Sequence, residues 1–135
     1  MEKQTRRAFV TTAVALGSTV AAFALPTMEP KNKKQLVHHV YFWLKNRNSK
    51  EDLNQLLAGL KTLEKIESVR KIHIGVPAST EQRDVVDSSY SASELIFFDD
   101  VAGQDIYQVH AIHKKFVDQC SHLCEKVIVY DSVDI

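Results

Sequence analysis

Apolar and polar positions change period several times along this chain, and each change marks an element. Leu36 to Leu44 (LVHHVYFWL) is a run of β-forming residues bounded by polar ones and too short for a helix, so it predicts a first strand. Ser49, with Asp52 three residues on, has the pattern of a helix N-terminus. Leu53, Leu56, Leu57, Leu60, Leu63 and Ile66 then recur at three and four, which makes one apolar helical stripe. Ser68 to Gly75 predicts a second strand, Pro77 to Ser89 a long polar loop, and Ser93 to Phe98 a third strand. Asp99-Asp100 offers an N-cap for a helix through Tyr107 and Val109. From His113 to about Leu123 the chain puts Phe116, Val117, Cys120 and Leu123 on one helical face, and Lys126 to Asp131 closes as a fourth strand.

The order β-α-β-β-α-β predicts an α+β, ferredoxin-like fold: a four-stranded antiparallel sheet with both helices on one face. Side chains alternate faces along a strand. In the first strand Leu36, His38, Val40, Phe42 and Leu44 share one face, and Val37, His39, Tyr41 and Trp43 share the other. Both faces are apolar, as they are in the third and fourth strands, yet the helices cover only one. Leaving Trp43, Tyr41 and Phe97 or Phe98 in water forgoes roughly 1.5–3 kcal/mol each. A second copy packed sheet to sheet is the expected solution, so the predicted partner is a homodimer.

Length and the N-terminus set the domain plan. The 135 residues suit one domain. Lys3, Arg6 and Arg7 precede a mildly apolar run from Phe9 to Phe23, and Ala22-Phe23-Ala24 has the small-x-small form that signal peptidase cuts. Thr5-Arg6-Arg7-Ala8-Phe9 resembles the twin-arginine export signal. Residues 1–24 therefore read as a removable leader, 25–35 as a tether and 36–135 as the domain, exported to the periplasm and without a membrane partner once cut. An uncleaved anchor is the alternative, although the run falls short of the ~20 apolar residues a spanning helix needs. The leader carries three basic residues and one acidic, so the remainder holds 14 basic against 16 acidic, a net charge of −2. With no basic stripe, nucleic acid is excluded as a partner.

The candidate chemistry lies in the histidines. His38 and His39 are adjacent and point to opposite sides of the sheet. If His38 faces the helices, His113 can meet it across an apolar interior, where imidazoles move protons near neutral pH. Tyr107 can donate to a carbonyl oxygen as it becomes an enolate. Val40, Phe42, His110 and Phe116 are the expected ligand-contacting residues. For His39 and His122 the expectation is a buried ring satisfied by a backbone carbonyl, and for His73 a surface or interface position. A metal site from His113, Cys120 and Cys124 with His110 nearby matches no tight zinc pattern, so neither metal nor other cofactor is predicted. Cys120 and Cys124, spaced i, i+4, bridge only if the helix ends between them; two free thiols are the expectation.

Several segments in order resemble one family. His38-x-Val40-x-Phe42, Gly75, Tyr90 to Phe98-Asp99, Tyr107-x-x-His110-x-x-His113-x-x-Phe116 and Val127-Ile128-Val129-Tyr130-Asp131 are similar to the stress-responsive A/B barrel (Dabb) family over about Leu36 to Ser132. The resemblance implies a dimeric α+β barrel. It also implies an acid–base and orienting role for His38, Tyr107 and His113, which match those of a plant cyclase that closes a polyketide without a cofactor. The family's usual His-Pro-x-His is His110-Ala111-Ile112-His113 here. Without the proline a helix can run on, and six residues of unbroken helix set Tyr107 and His113 about 240° apart.

Three functions remain open at this point. The first is a domain that binds a small hydrophobic molecule between sheet and helices. The second is a cofactor-independent lyase, cyclase or isomerase using His38, His113 and Tyr107, and the third is a structural oligomer without a ligand. A cavity of about 300 Å³ or more with those three side chains converging favours the first two.

Overall fold

The computed structural model describes residues 33–135, so the leader and most of the tether lie outside the described residues. Four strands, β1 (Leu36–Leu44), β2 (Lys71–Gly75), β3 (Ala92–Phe98) and β4 (Cys124–Val133), form one sheet in the order β2-β3-β1-β4. Every pairing is antiparallel. Helix α1 (Lys50–Thr62) starts at Ser49, whose hydroxyl accepts from the Asp52 N–H at 3.1 Å. Helix α2 (Val101–Val109) starts at Asp100, whose carboxylate accepts from the Gly103 N–H at 2.9 Å. A third helix, α3 (Ala111–Cys120), follows after a single residue.

Alternation decides which side chains meet the helices. Leu36, His38, Val40, Phe42 and Leu44 of β1 are buried on the helix side, together with Ala92, Glu94, Ile96 and Phe98 of β3. Leu56, Leu60 and Leu63 from the first helical region and Tyr107, Phe116 and Cys120 from the second close over them. The apolar stripe runs past the end of α1, because Leu63–Lys65 tightens into a 3₁₀ turn. Val69 belongs to the turn before β2, not to the strand. Gly59 lets α1 and α3 approach: a Cβ there would stand 2.6 Å from Cys120 Sγ.

The opposite face of the sheet carries an aromatic cluster. Tyr41 lies 6.5 Å from Trp43, 4.9 Å from Tyr90 and 6.2 Å from Tyr130 between ring centroids. Part of this face is covered from within. The segment from β2 to β3 folds back so that Ser89 accepts from the Trp43 indole N–H at 3.0 Å, and Lys126 stands over the same ring. Trp43 is thereby buried without a partner copy, contrary to the sequence expectation, whereas Tyr130 stays 62% exposed.

Candidate functional site

Strand register builds the first part of the site. His38 of β1 lies opposite Asp131 of β4, and directly opposed residues project to the same face. The His38 ring is almost enclosed, and its Nδ1 meets Asp131 Oδ1 at 2.5 Å. With Nδ1–H donating to the carboxylate, Nε2 is the acceptor nitrogen of the neutral ring. His39 points to the other face, half-buried at 4.3 Å from the Tyr41 ring, and its partner is the Tyr41 hydroxyl in place of a backbone carbonyl. His122 is exposed in the 3₁₀ turn after α3, because the turn directs it outward while Leu123 packs in. His73 is exposed on β2.

The second part depends on a helix break. His110 adopts φ −65° and ψ 142°, ends α2 and caps α3, its Nδ1 accepting from the Ile112 N–H at 3.1 Å. The run of helix that Ala111 permits is thus cut by a side-chain cap, which satisfies a donor that the new helix would otherwise leave unpaired. The break turns His113 back beneath α2, with its ring 4.6 Å from that of Tyr107. Nδ1–H of His113 donates to the Gln108 carbonyl at 3.1 Å, a free acceptor at the end of α2, so Nε2 is again the open nitrogen. Burial holds the His113 pKa below its ordinary value, the Gln108 bond opposes this, and the nearby His38 adds to the lowering. The backbone at His110 is already the extended form that precedes proline, and Ala111 is the first residue of α3. Ala111→Pro is therefore expected to stabilise the domain by about 0.4–1 kcal/mol. A lowered thermal midpoint would contradict that.

Glu94 completes the interior, and sequence reasoning missed it. It stands in the middle of the sheet on β3, opposite Val40 on one side and Ile74 on the other, and is 2% exposed. Its alternation with Ile96 and Phe98 is the signal that places it on the helix face. Tyr107, fully buried, donates its hydroxyl to Glu94 Oε1 at 3.4 Å, and Oε2 has no partner. Burial pushes the Glu94 pKa up to about 8, with the Tyr107 bond pulling the other way. Burial also raises the Tyr107 phenol.

A raised carboxyl pKa means that stability is fully present below the ordinary value near 4.5 and lost as pH rises through about 8. The loss is on the order of 5 kcal/mol at the upper end. Glu94→Gln is therefore expected to gain stability relative to the native chain by a few kcal/mol between pH 5 and pH 8. Urea unfolding at the two pH values checks this, and a constant difference would refute it.

His38, Glu94 and His113 line one cavity of about 250 Å³ between sheet and helices, somewhat under the size anticipated. Val40, Phe42 and Phe116 line it too. His110 does not: its ring caps α3 and its Nε2 faces Glu67 at 3.3 Å, so it sets the helix break and is not a wall of the cavity. Tyr107 lies behind the wall, with its hydroxyl committed to Glu94, 5.7 Å from His38 between ring centroids. Val117, Val127 and Val129 are each 40–49% exposed and line the cavity as well, which marks its mouth between α3 and β4. Cys120 and Cys124 are free, and α3 does end between them. Burial raises both thiols, so neither is a ready nucleophile. Among the described residues, no group of three or more His, Cys, Asp or Glu is placed to hold a metal ion.

Comparison with known proteins identifies the scaffold. Residues 36–134 match the stress responsive A/B barrel domain, Dabb. The chain belongs to the Dabb family. A Dabb protein with a ferredoxin-like fold from Mesorhizobium loti is similar to it at 24% identity, with 76% of this chain and 99% of that one covered and a TM-score of 0.62. The Passiflora edulis hydroxynitrile lyase shares the fold at 18% identity, over 76% and 94% of the chains, with a TM-score of 0.64. A dimeric ferredoxin-like protein of unknown function from Thermobifida fusca is 14% identical over 76% and 92%, with a TM-score of 0.62. No curated protein matches the sequence. The Dabb assignment fixes the architecture, and the chemistry rests on the residues in this cavity.

Proposed function

We propose that this Dabb domain binds a small hydrophobic carbonyl compound in the cavity between sheet and helices and moves protons on it, as a cofactor-independent lyase, cyclase or isomerase. The observation that carries the reading is that His38, buried, and His113, half-buried, line one largely apolar cavity, each with Nδ1 engaged so that Nε2 is left free. His38 is the base: Asp131 fixes its ring and faces the charge that develops when Nε2 takes a proton. His113, kept neutral by burial, accepts a second proton or a ligand hydroxyl. An apolar cavity of about 150 Å³ can hold benzene, so 250 Å³ suits a substituted ring or a short chain. That a hydroxynitrile lyase is built on the same fold supports the scaffold as a host for such chemistry.

The test is exchange of the methyl protons of acetophenone in D₂O, followed by NMR. Exchange accelerated by the native chain supports turnover; saturable binding without acceleration favours a binding protein. With neither, both readings fail.

Two further proposals complete this reading. The domain works as a homodimer through the aromatic face of its sheet, supported by the exposure of Tyr130 and by dimeric proteins of the same fold. It is exported by the leader of residues 1–24, so a chain beginning at Leu25 is expected in the periplasm, and an uncut cytoplasmic chain argues against this.

A further inference from the structure

We propose that Glu94 is the hydrogen-bond donor of this cavity: the site takes a ligand whose carbonyl oxygen lodges against the Glu94 carboxyl, while Tyr107 positions that carboxyl from behind. The proposal rests on the cavity reading above and deepens it. Both imidazoles offer Nε2 lone pairs, so in their neutral forms they accept hydrogen bonds and do not supply a donor for a carbonyl oxygen. The phenol of Tyr107 has one proton, which is given to Glu94 Oε1. Glu94 lines the cavity, and its Oε2 is a buried polar atom without a partner. A buried donor left unpaired costs about 1–3 kcal/mol, so a ligand oxygen placed against it recovers that cost. The carboxyl is in its neutral, donating form at neutral pH, consistent with its burial. The titratable groups that line the same cavity are His38 from β1, His113 and Cys120 from α3, and Cys124 from β4, and Tyr107 from α2 contacts the carboxyl.

The chemistry balances without a co-reactant. As His38 Nε2 takes a proton from the carbon next to the carbonyl, the C–H electron pair forms a C=C bond. The carbonyl π pair moves to oxygen and takes up the Glu94 proton. The result is an enol, an imidazolium and a carboxylate, and return of the protons restores the site. Tyr107 steadies the carboxylate as it forms.

The test compares acetophenone with ethylbenzene, which has the same shape but no oxygen. At pH 6 the native chain is expected to bind acetophenone about tenfold more tightly, a single good hydrogen bond. The preference shrinks above pH 8, and the carbonyl stretch of bound ¹³C-labelled acetophenone lies below its value in an apolar solvent. Glu94→Gln keeps a donor, so its preference persists and no longer falls with pH, although His38 and His113 are intact. Glu94→Leu loses the preference and the shift of the stretch. If Glu94→Leu retains either of these, Glu94 is not the donor and the cavity reading stands. If the native chain binds neither compound, the cavity reading fails and this assignment fails with it.

Discussion

His38→Ala is expected to lower the rate of acetophenone proton exchange by about 10²–10⁴-fold, the usual contribution of a positioned general base. His38 lines the cavity proposed to hold the ligand and is held by Asp131 at 2.5 Å, and the exposed histidines lie outside this cavity. Asp131→Asn should keep the fold, since that side chain is 47% exposed, yet lose much of the rate. An amide can hold the ring in the opposite tautomer, with Nε2 protonated and unable to accept. His113→Ala should lose less, because burial already disfavours its charged form. Equal rates in the native chain and His38→Ala would remove the catalytic role, even if binding persisted.

Tyr130→Glu is expected to weaken the dimer by about 30- to 1000-fold, the 2–4 kcal/mol typical of a central interface residue. Tyr130 is already 62% exposed in the single chain, so the substitution costs the protomer little. In the proposed pair, Tyr130 joins Tyr41, Ile128 and Phe97 on the face away from the helices, where a buried unpaired carboxylate is strongly unfavourable. Sedimentation equilibrium reads the change. A native chain that is monomeric at micromolar concentration contradicts the pairing outright.

Period-two alternation in β1 made much of the architecture legible: it separated His38 from His39 and showed that both faces of the sheet are apolar. What it could not show was the partner of each face. Trp43 is covered by Ser89 and Lys126, contacts between residues far apart in sequence that no local pattern announces. Asp131 was visible as the end of the last strand, but its pairing with His38 depends on the β1–β4 register, set by turns and packing. The break at His110 was the hardest feature to read. Ala111 allows continuous helix, and the turn that brings Tyr107 and His113 together is held by side chains, His110 capping Ile112 and His113 bonding the Gln108 carbonyl. Glu94 was within reach of the same alternation, since Ile96 and Phe98 follow it on its own face, but its burial becomes evident only with β1 and β2 on either side.

His38 and His113 share one cavity, and ¹⁵N NMR of the imidazole nitrogens shows whether one ligand occupies it against both rings. Saturating acetophenone is expected to shift Nε2 of His38 and of His113 together, with one affinity, while the exposed rings of His73 and His122 remain still. Binding that leaves His38 and His113 no more affected than those two exposed rings would contradict it.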